Sequence, residues 1–138
     1  MFVSPYKKVG EIVWFLRMVD KIRLKESEQL PEEYLSYMGH GFDARCCKFL
    51  GIDYEALINE VRSGKGDREL LEWSFRKGNS PGEEEILVWN EFMVKRGWRD
   101  TDGDPDELAD YKSKYGMGHR KDILTYFEFF EVDEGRKD

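Results

Sequence analysis

Cysteine is scarce in this sequence, which has only Cys46 and Cys47 among its 138 residues. Adjacent side chains on a helix point about 100° apart, so these two cysteines are poorly placed to form a disulfide with each other. The sequence also has no CxxC pair, which excludes a disulfide framework and a cysteine-rich zinc site. We therefore expect a reducing compartment and a cytoplasmic protein.

Long hydrophobic runs are also lacking. No apolar stretch approaches the about 18 residues that a membrane helix needs. The N-terminus has Lys7 and Lys8 ahead of apolar residues, as a signal peptide does, but Glu11 interrupts the apolar run. Arg17 and Asp20 then follow where small residues would mark a cleavage site. We expect neither a signal peptide nor membrane association.

Positive charge is in deficit, because the net charge is −7. An acidic chain is repelled by nucleic acid phosphates, so we expect no nucleic acid partner. Residues 1–25 depart from this balance: they hold six Lys or Arg against two acids, a local charge of +4 that leaves −11 for the remainder. The segment is either a basic helix that docks on an acidic body or a basic surface for an anionic partner.

Strand signals are absent, whereas helix boundaries are well marked. There is no convincing alternation of period two and no Asn-Gly or Asp-Gly turn between β-branched segments. Ser80 and Glu83 have capping-box spacing, and Asp53, Asp67 and Asp104 are placed to cap three other helices. Glycine follows each of the four segments. The sequence predicts an all-α fold with six to eight helices in one compact, bundle-like domain over residues 1–138.

Catalytic and metal-binding motifs are lacking as well. Neither GxSxG nor HExxH occurs. Asp100, Asp102 and Asp104 resemble the start of a calcium-binding EF-hand loop, but Pro105 stands where glycine is needed and Tyr111 where a bidentate glutamate is needed. We therefore expect no metal, no cofactor and, on balance, no enzyme.

The most informative segment is residues 13–25, VWFLRMVDKIRLK. If residues 9–25 form one helix, its apolar positions cover several sides, which is typical of a central helix with several neighbours. The charged positions are Arg17, Asp20, Lys21 and Arg23. Asp20 lies three residues from each arginine, so it can pair with either one.

These four side chains lie on the helix predicted over residues 9–25, which we label α1, and they are called the α1 cluster below. They carry three positive charges and one negative charge. The surplus predicts an anionic group opposite them. One interpretation is a structural network completed by an internal acid, with candidates Asp43, Glu83, Glu84 and Glu85. Another is a phosphate or carboxylate ligand bound by the three cations, since guanidinium binds oxyanions in a bidentate manner. A third is that the long side chains extend along the surface into solvent.

The sequence resembles a family of small uncharacterised bacterial proteins, a domain of unknown function. The resemblance lies in the segment from Gly10 to Arg23, in the segment from Phe42 to Ile52, and in the C-terminal segment from Phe129 to Arg136. It is weaker over residues 26–40. The resemblance implies a single α-helical domain and supplies no activity.

Together these features predict a small, non-catalytic helical module that binds a protein partner or an anionic small ligand through its first helix. The predicted site is the α1 cluster. One alternative is a small enzyme whose cleft is lined by Arg17, Asp20, Lys21 and His119. Another is a self-associating structural protein, such as a homodimer, which the 14% content of aromatic residues suggests.

Overall fold

Helices dominate the computed structural model, which describes residues 3–138. Met1 and Phe2, which the predicted domain over residues 1–138 includes, lie outside the described residues. The α-helices are α1 Phe15–Glu26, α2 Phe42–Leu50, α3 Tyr54–Arg62, α4 Asp67–Lys77, α5 Glu83–Lys95, α6 Glu107–Lys114 and α7 Tyr126–Asp133. A 3-10 helix, Glu32–Tyr37, lies between α1 and α2. The prediction of a mostly α-helical fold with six to eight helices is confirmed for these residues.

A short hairpin precedes α1, where the sequence suggested that helix begins at residue 9. Strand β1, Lys8–Val9, pairs antiparallel with β2, Ile12–Val13. The two turn residues, Gly10 and Glu11, have φ of +54° and +66°. Positive φ at both central positions is what a two-residue hairpin turn of type I′ requires. The hairpin was missed because Gly-Glu is a weaker turn signal than Asn-Gly.

The predicted helix boundaries hold best at α3. The side chain of Asp53 accepts a hydrogen bond from the backbone N–H of Ala56 at 3.1 Å, so the predicted cap is confirmed. Asp67, by contrast, is the first residue of α4 and not its cap. The residue before it, Gly66, donates its backbone N–H to the Glu69 side chain at 3.3 Å.

The start of α5 also differs from the prediction based on Ser80. The helix begins at Glu83, and the backbone N–H of Gly82 donates to the Glu85 side chain at 3.0 Å. This is the reciprocal bond of a capping box, displaced by two residues along the chain. At α6, the predicted cap was Asp104, whose side chain accepts a hydrogen bond from the backbone N–H of Asp106 at 2.9 Å. The helix begins at Glu107, so the residue that directly precedes it is Asp106 and not Asp104.

The chain divides into two compact units, one that ends at Trp89 and one from Asn90 to Asp138, and the boundary falls within α5. In the first unit α1 is central, because it contacts α2, α3, α4 and β1. Phe15, Met18 and Val19 have no exposed surface, and Ile22 is 1% exposed. The central position predicted for this helix is therefore confirmed within the first unit. The expectation of one domain over residues 1–138 stays a prediction.

The second unit has a small core of its own, built on Met117, Ile123 and Phe129. Leu108, Tyr111, Phe130 and Val132 pack against these three residues. Helix α7 is capped by Thr125, whose hydroxyl accepts from the backbone N–H of Glu128 at 3.2 Å. Among residues 3–138, no helix combines the length and apolarity that crossing a lipid bilayer demands.

Gly78, at the end of α4, provides a test of the packing in the first unit. A Cβ atom added there would lie 2.1 Å from the carbonyl oxygen of Leu50 and 2.6 Å from that of Gly51. Backbone atoms cannot rotate away, so we expect Gly78→Ala to destabilise the protein by about 1–3 kcal/mol. Urea denaturation measures this. Gly66→Ala is the control, because the nearest atom to its new Cβ is 3.6 Å away and belongs to a flexible side chain. Equal stability of Gly78→Ala and wild type would contradict the close approach.

Candidate functional site

Two members of the α1 cluster, Arg17 and Lys21, lie beside Trp14, the residue that precedes α1. Trp14 is 3% exposed and has φ of +76°, which is unusual for a residue with a side chain. This backbone conformation turns the chain from β2 into the helix. The Trp14 ring packs edge-on against Phe42, with ring centroids 4.9 Å apart. Arg17 Cζ and Lys21 Nζ lie 5.4 Å and 5.1 Å from the centroid of the Trp14 ring. Both distances are in the range of cation–π attraction.

Lys21 forms a buried ion pair with Asp43, in the first turn of α2. Lys21 is 4% exposed and Asp43 is fully buried. The Lys21 ammonium is 2.8 Å and 3.0 Å from the two carboxylate oxygens. The same carboxylate accepts the indole N–H of Trp14 at 2.9 Å and the backbone N–H of Gly39 at 3.1 Å. Asp43 therefore joins α1, α2 and the loop before α2 through four hydrogen bonds.

Asp20 and Arg17 bind the main chain of Val3. The Asp20 carboxylate accepts the Val3 backbone N–H at 2.9 Å, and Arg17 Nη1 donates to the Val3 carbonyl oxygen at 3.1 Å. Arg17 is 2% exposed. The spacing along the helix predicted that Asp20 meets an arginine, and it gave no sign of a contact with residue 3. The contact links positions 17 residues apart and has no local sequence signal.

Arg23 binds the loop between α3 and α4 and the first residue of α4. Arg23 Nη1 lies 2.5 Å from a carboxylate oxygen of Asp67, and Nη2 donates to the carbonyl oxygen of Lys65 at 3.0 Å. The side chains of Arg23 and Asp67 are 39% and 49% exposed, so solvent weakens this pair. The acid opposite Arg23 is therefore the residue that the sequence suggested as a helix cap.

The positions of these partners favour one of the three sequence-based interpretations. Lys21 meets Asp43, one of the internal acids considered above, and Arg23 meets Asp67, which was not considered. The α1 cluster is thus a network within the first unit rather than a set of donors collected around an open space. A ligand role for Arg17, Asp20, Lys21 and Arg23 stays a prediction, and a ligand would have to replace these partners.

Two thiols lie close to the network. Cys46 is fully buried, and burial raises the pKa of its thiol well above the ordinary value. Burial, followed by the charge of Asp43, raises the pKa of Cys47 to about 12. The Cys47 sulfur lies 3.8 Å from that of Met18. Thiols in such surroundings remain protonated at neutral pH and are poor nucleophiles.

Tyr54, at the start of α3, borders the same region. Burial and the nearby charge of Asp43 raise the pKa of its hydroxyl group. Its ring lies against Gly39, where an added Cβ would be 2.8 Å from a ring carbon. The sequence gave no reason to connect Tyr54 with Asp43, since the two residues lie on different helices.

The other candidate residues have less specialised surroundings. His40 and His119 are both exposed, and His119 belongs to the second unit. Over residues 3–138, no group of three or more His, Cys, Asp or Glu is placed to hold a metal ion. Asp100, from the EF-hand-like stretch, accepts the backbone N–H of Gly97 through both carboxylate oxygens, at 2.9 Å and 3.0 Å. Asp102 forms an ion pair with Arg96 at 2.6 Å.

A family model for a domain of unknown function, DUF5069, matches residues 1–136, nearly the whole chain. The chain belongs to this family. The network of Trp14, Lys21 and Asp43 and the α5 helix thus all lie inside the DUF5069 match. No curated protein matches the sequence. The resemblance stated from sequence is confirmed as far as an uncharacterised domain, and DUF5069 membership brings no activity with it.

The buried pair predicts strong coupling between Lys21 and Asp43. We expect Lys21→Met and Asp43→Asn each to cost about 3–5 kcal/mol of unfolding free energy, because each leaves the other partner unbalanced in the core. The double variant should cost clearly less than the two single costs added together. Denaturant titration of all four proteins measures the coupling. The exposed pair supplies the matched control: Arg23→Met and Asp67→Asn should each cost less than about 1 kcal/mol. Strict additivity at Lys21 and Asp43 would contradict their interaction.

The internal partners of the α1 cluster also predict how the protein responds to anions. We expect inorganic phosphate to raise the melting temperature no more in wild type than in Arg23→Gln, because any rise reflects a general salt effect. Differential scanning fluorimetry at matched ionic strength measures the two shifts. A rise of several degrees that saturates with phosphate and is lost in Arg23→Gln would instead support the predicted ligand site.

Proposed function

We propose that the chain is a non-catalytic interaction module that binds a protein partner through the outer face of α5. Leu87, Val88 and Phe92 lie in two successive turns of this helix and are 53%, 60% and 38% exposed. Trp89 and Met93 of the same helix are buried, at 6% and 0% exposure. These three exposed apolar side chains are the observation that carries the proposal.

Helix α5 carries apolar residues on two sides, one buried and one exposed. A helix of a small soluble protein normally places its apolar residues on the side that faces the core and polar residues on the other side. Single exposed apolar residues are common, but neighbouring ones on one face are typical of interaction surfaces. Two of the three residues are more than half exposed, so the fold of the chain makes little use of them.

Several potentially reactive side chains of the first unit are buried, which supports a non-catalytic role. Arg17 and Lys21 are buried and bound to other groups of the first unit. The thiols of Cys46 and Cys47 are buried with raised pKa values. The alternative of an enzyme with Arg17, Asp20, Lys21 and His119 in a cleft requires Arg17 and Lys21 to be accessible to a substrate, which their burial disfavours.

The predicted route of binding through α1 is less well supported than one through α5. The apolar residues of α1 are used in the core of the first unit, and Arg23, on its more exposed end, is bound to Asp67 and Lys65.

Both cysteines are free thiols. This is in keeping with a reducing compartment, and we propose that the protein acts in the cytoplasm.

Site-specific photo-crosslinking in cells of the source organism tests the proposal. A photoreactive phenylalanine analogue at position 88 should give a discrete covalent adduct, because that side chain projects from the proposed surface. The adduct should disappear when Leu87→Lys is added, since a charge beside the probe disrupts an apolar contact. Position 72 is the control, because the Glu72 side chain is 56% exposed on a different helix. If position 88 yields no adduct beyond that seen at position 72, α5 is not a binding surface.

A further inference from the structure

We propose that the partner of α5 is basic: a helix of another protein whose apolar side is bordered by lysine or arginine. The inference rests on the proposed function, because it uses the same exposed side chains and states the chemistry of what covers them. The charges around those side chains specify this occupant, since opposite charges across an interface favour one partner over others and fix its orientation.

Leu87 and Val88 lie among acids. On a helix, the side chains that surround a given residue are those three and four positions away in either direction. The charged residues at these distances from Leu87 or Val88 are all acids and all exposed: Glu83, Glu84, Glu85 and Glu91. The two remaining neighbours on the helix, Asn90 and Phe92, are uncharged. Every charged neighbour of the apolar pair along α5 is therefore negative.

The bases near the C-terminal end of α5 are already paired. The ammonium of Lys95, the only base in α5, lies 2.7 Å from a carboxylate oxygen of Glu91. Arg96, which follows the helix, forms ion pairs with Asp100 at 3.4 Å and with Asp102 at 2.6 Å. Four acids against one base give α5 a net charge of −3. The positive end of the helix dipole is equivalent to about half a unit charge, so it offsets only part of this excess.

This excess of negative charge decides between the possible occupants of the surface. A second copy of the chain would bring the same acids together, and nucleic acid or anionic lipid would also oppose like charges. A neutral apolar surface would remove water from the carboxylates without supplying a partner for them, which is costly. Lysine and arginine cover apolar surface with their stems while their charged ends reach the carboxylates. An amphipathic helix bordered by these residues meets both requirements.

The size of the contact sets its strength. The thirteen residues of α5 are about 20 Å long, and one helix face is smaller than the about 800 Å² per partner of a standard interface. We therefore expect a Kd on the order of 10–100 µM. The Kd should increase with ionic strength, because salt screens exposed charges.

Fluorescence anisotropy with two labelled peptides tests the charge requirement on the purified full chain. Both peptides are designed amphipathic helices of about 14 residues with leucine on one side, and the other side carries lysine in one peptide and glutamate in the other. The lysine peptide should bind with the Kd given above, and the glutamate peptide at least about tenfold more weakly. Equal binding of the two peptides, or binding of neither, would overturn the proposal.

Four variants locate the binding of the lysine peptide. Val88→Ser and Glu84→Gln should each weaken it by about threefold or more, because one removes apolar contact and the other a charge that the peptide meets. Leu124→Ser and Glu72→Gln are the matched controls and should leave the Kd unchanged. Leu124 is 51% exposed in the second unit, and the Glu72 side chain is 56% exposed on α4. Circular dichroism checks that all four variants are folded. Equal weakening by a variant and its control would overturn the proposal.

The adduct formed in cells at position 88 separates this inference from the proposed function. Mass spectrometry of the crosslinked segment of the partner should find apolar residues together with an excess of lysine and arginine. A discrete adduct with a neutral or acidic segment would overturn the basic partner and leave the proposed function standing. The absence of an adduct at position 88 would remove the proposed function, and this inference with it.

Discussion

The buried ion pair between Lys21 and Asp43 is the interaction on which the first unit depends. A carboxylate with no exposed surface is costly to bury unless every strong interaction it can make is made. Asp43 meets that condition through the Lys21 ammonium, the Trp14 indole and the backbone of Gly39. Each donor comes from a different part of the chain, so the pair fixes the entry into α1, the position of α2 and the course of the loop between them.

This use of charge changes how the basic first helix is interpreted. Arg17 and Lys21 are buried and meet groups of the same unit, whereas Lys7, Lys8 and Lys25 are exposed, so only part of the local surplus of positive charge seen in the sequence is internal. The apolar side chains Leu87 and Val88, which are 53% and 60% exposed, lie instead on α5. Arg17 and Arg23 are conspicuous in the sequence because they are charged residues in an apolar segment. Leu87 and Val88 attract no notice, because apolar residues in a helix are expected to be buried.

The helices and their ends could largely be predicted, because caps and glycines act over a few residues. The central position of α1 followed from its apolar sides, and Asp43 was among the acids that the sequence offered as partners. The hairpin before α1 was missed, because its turn, Gly10-Glu11, is not a strong turn signal. The contact of Asp20 with Val3 and the pairing of Arg23 with Asp67 were also missed. Both join positions far apart in sequence, and only the packed fold determines which group lies opposite a given side chain.

The contact of Asp20 and Arg17 with Val3 has a further consequence for how the sequence of this protein is free to vary. Both groups that they bind are backbone atoms, an N–H and a carbonyl oxygen. Any amino acid other than proline presents the same two atoms, so this attachment is indifferent to the side chain at position 3. It depends instead on the number of residues between position 3 and the hairpin. An insertion or deletion there would shift a different peptide group into place, and chain length is therefore the property that this contact constrains.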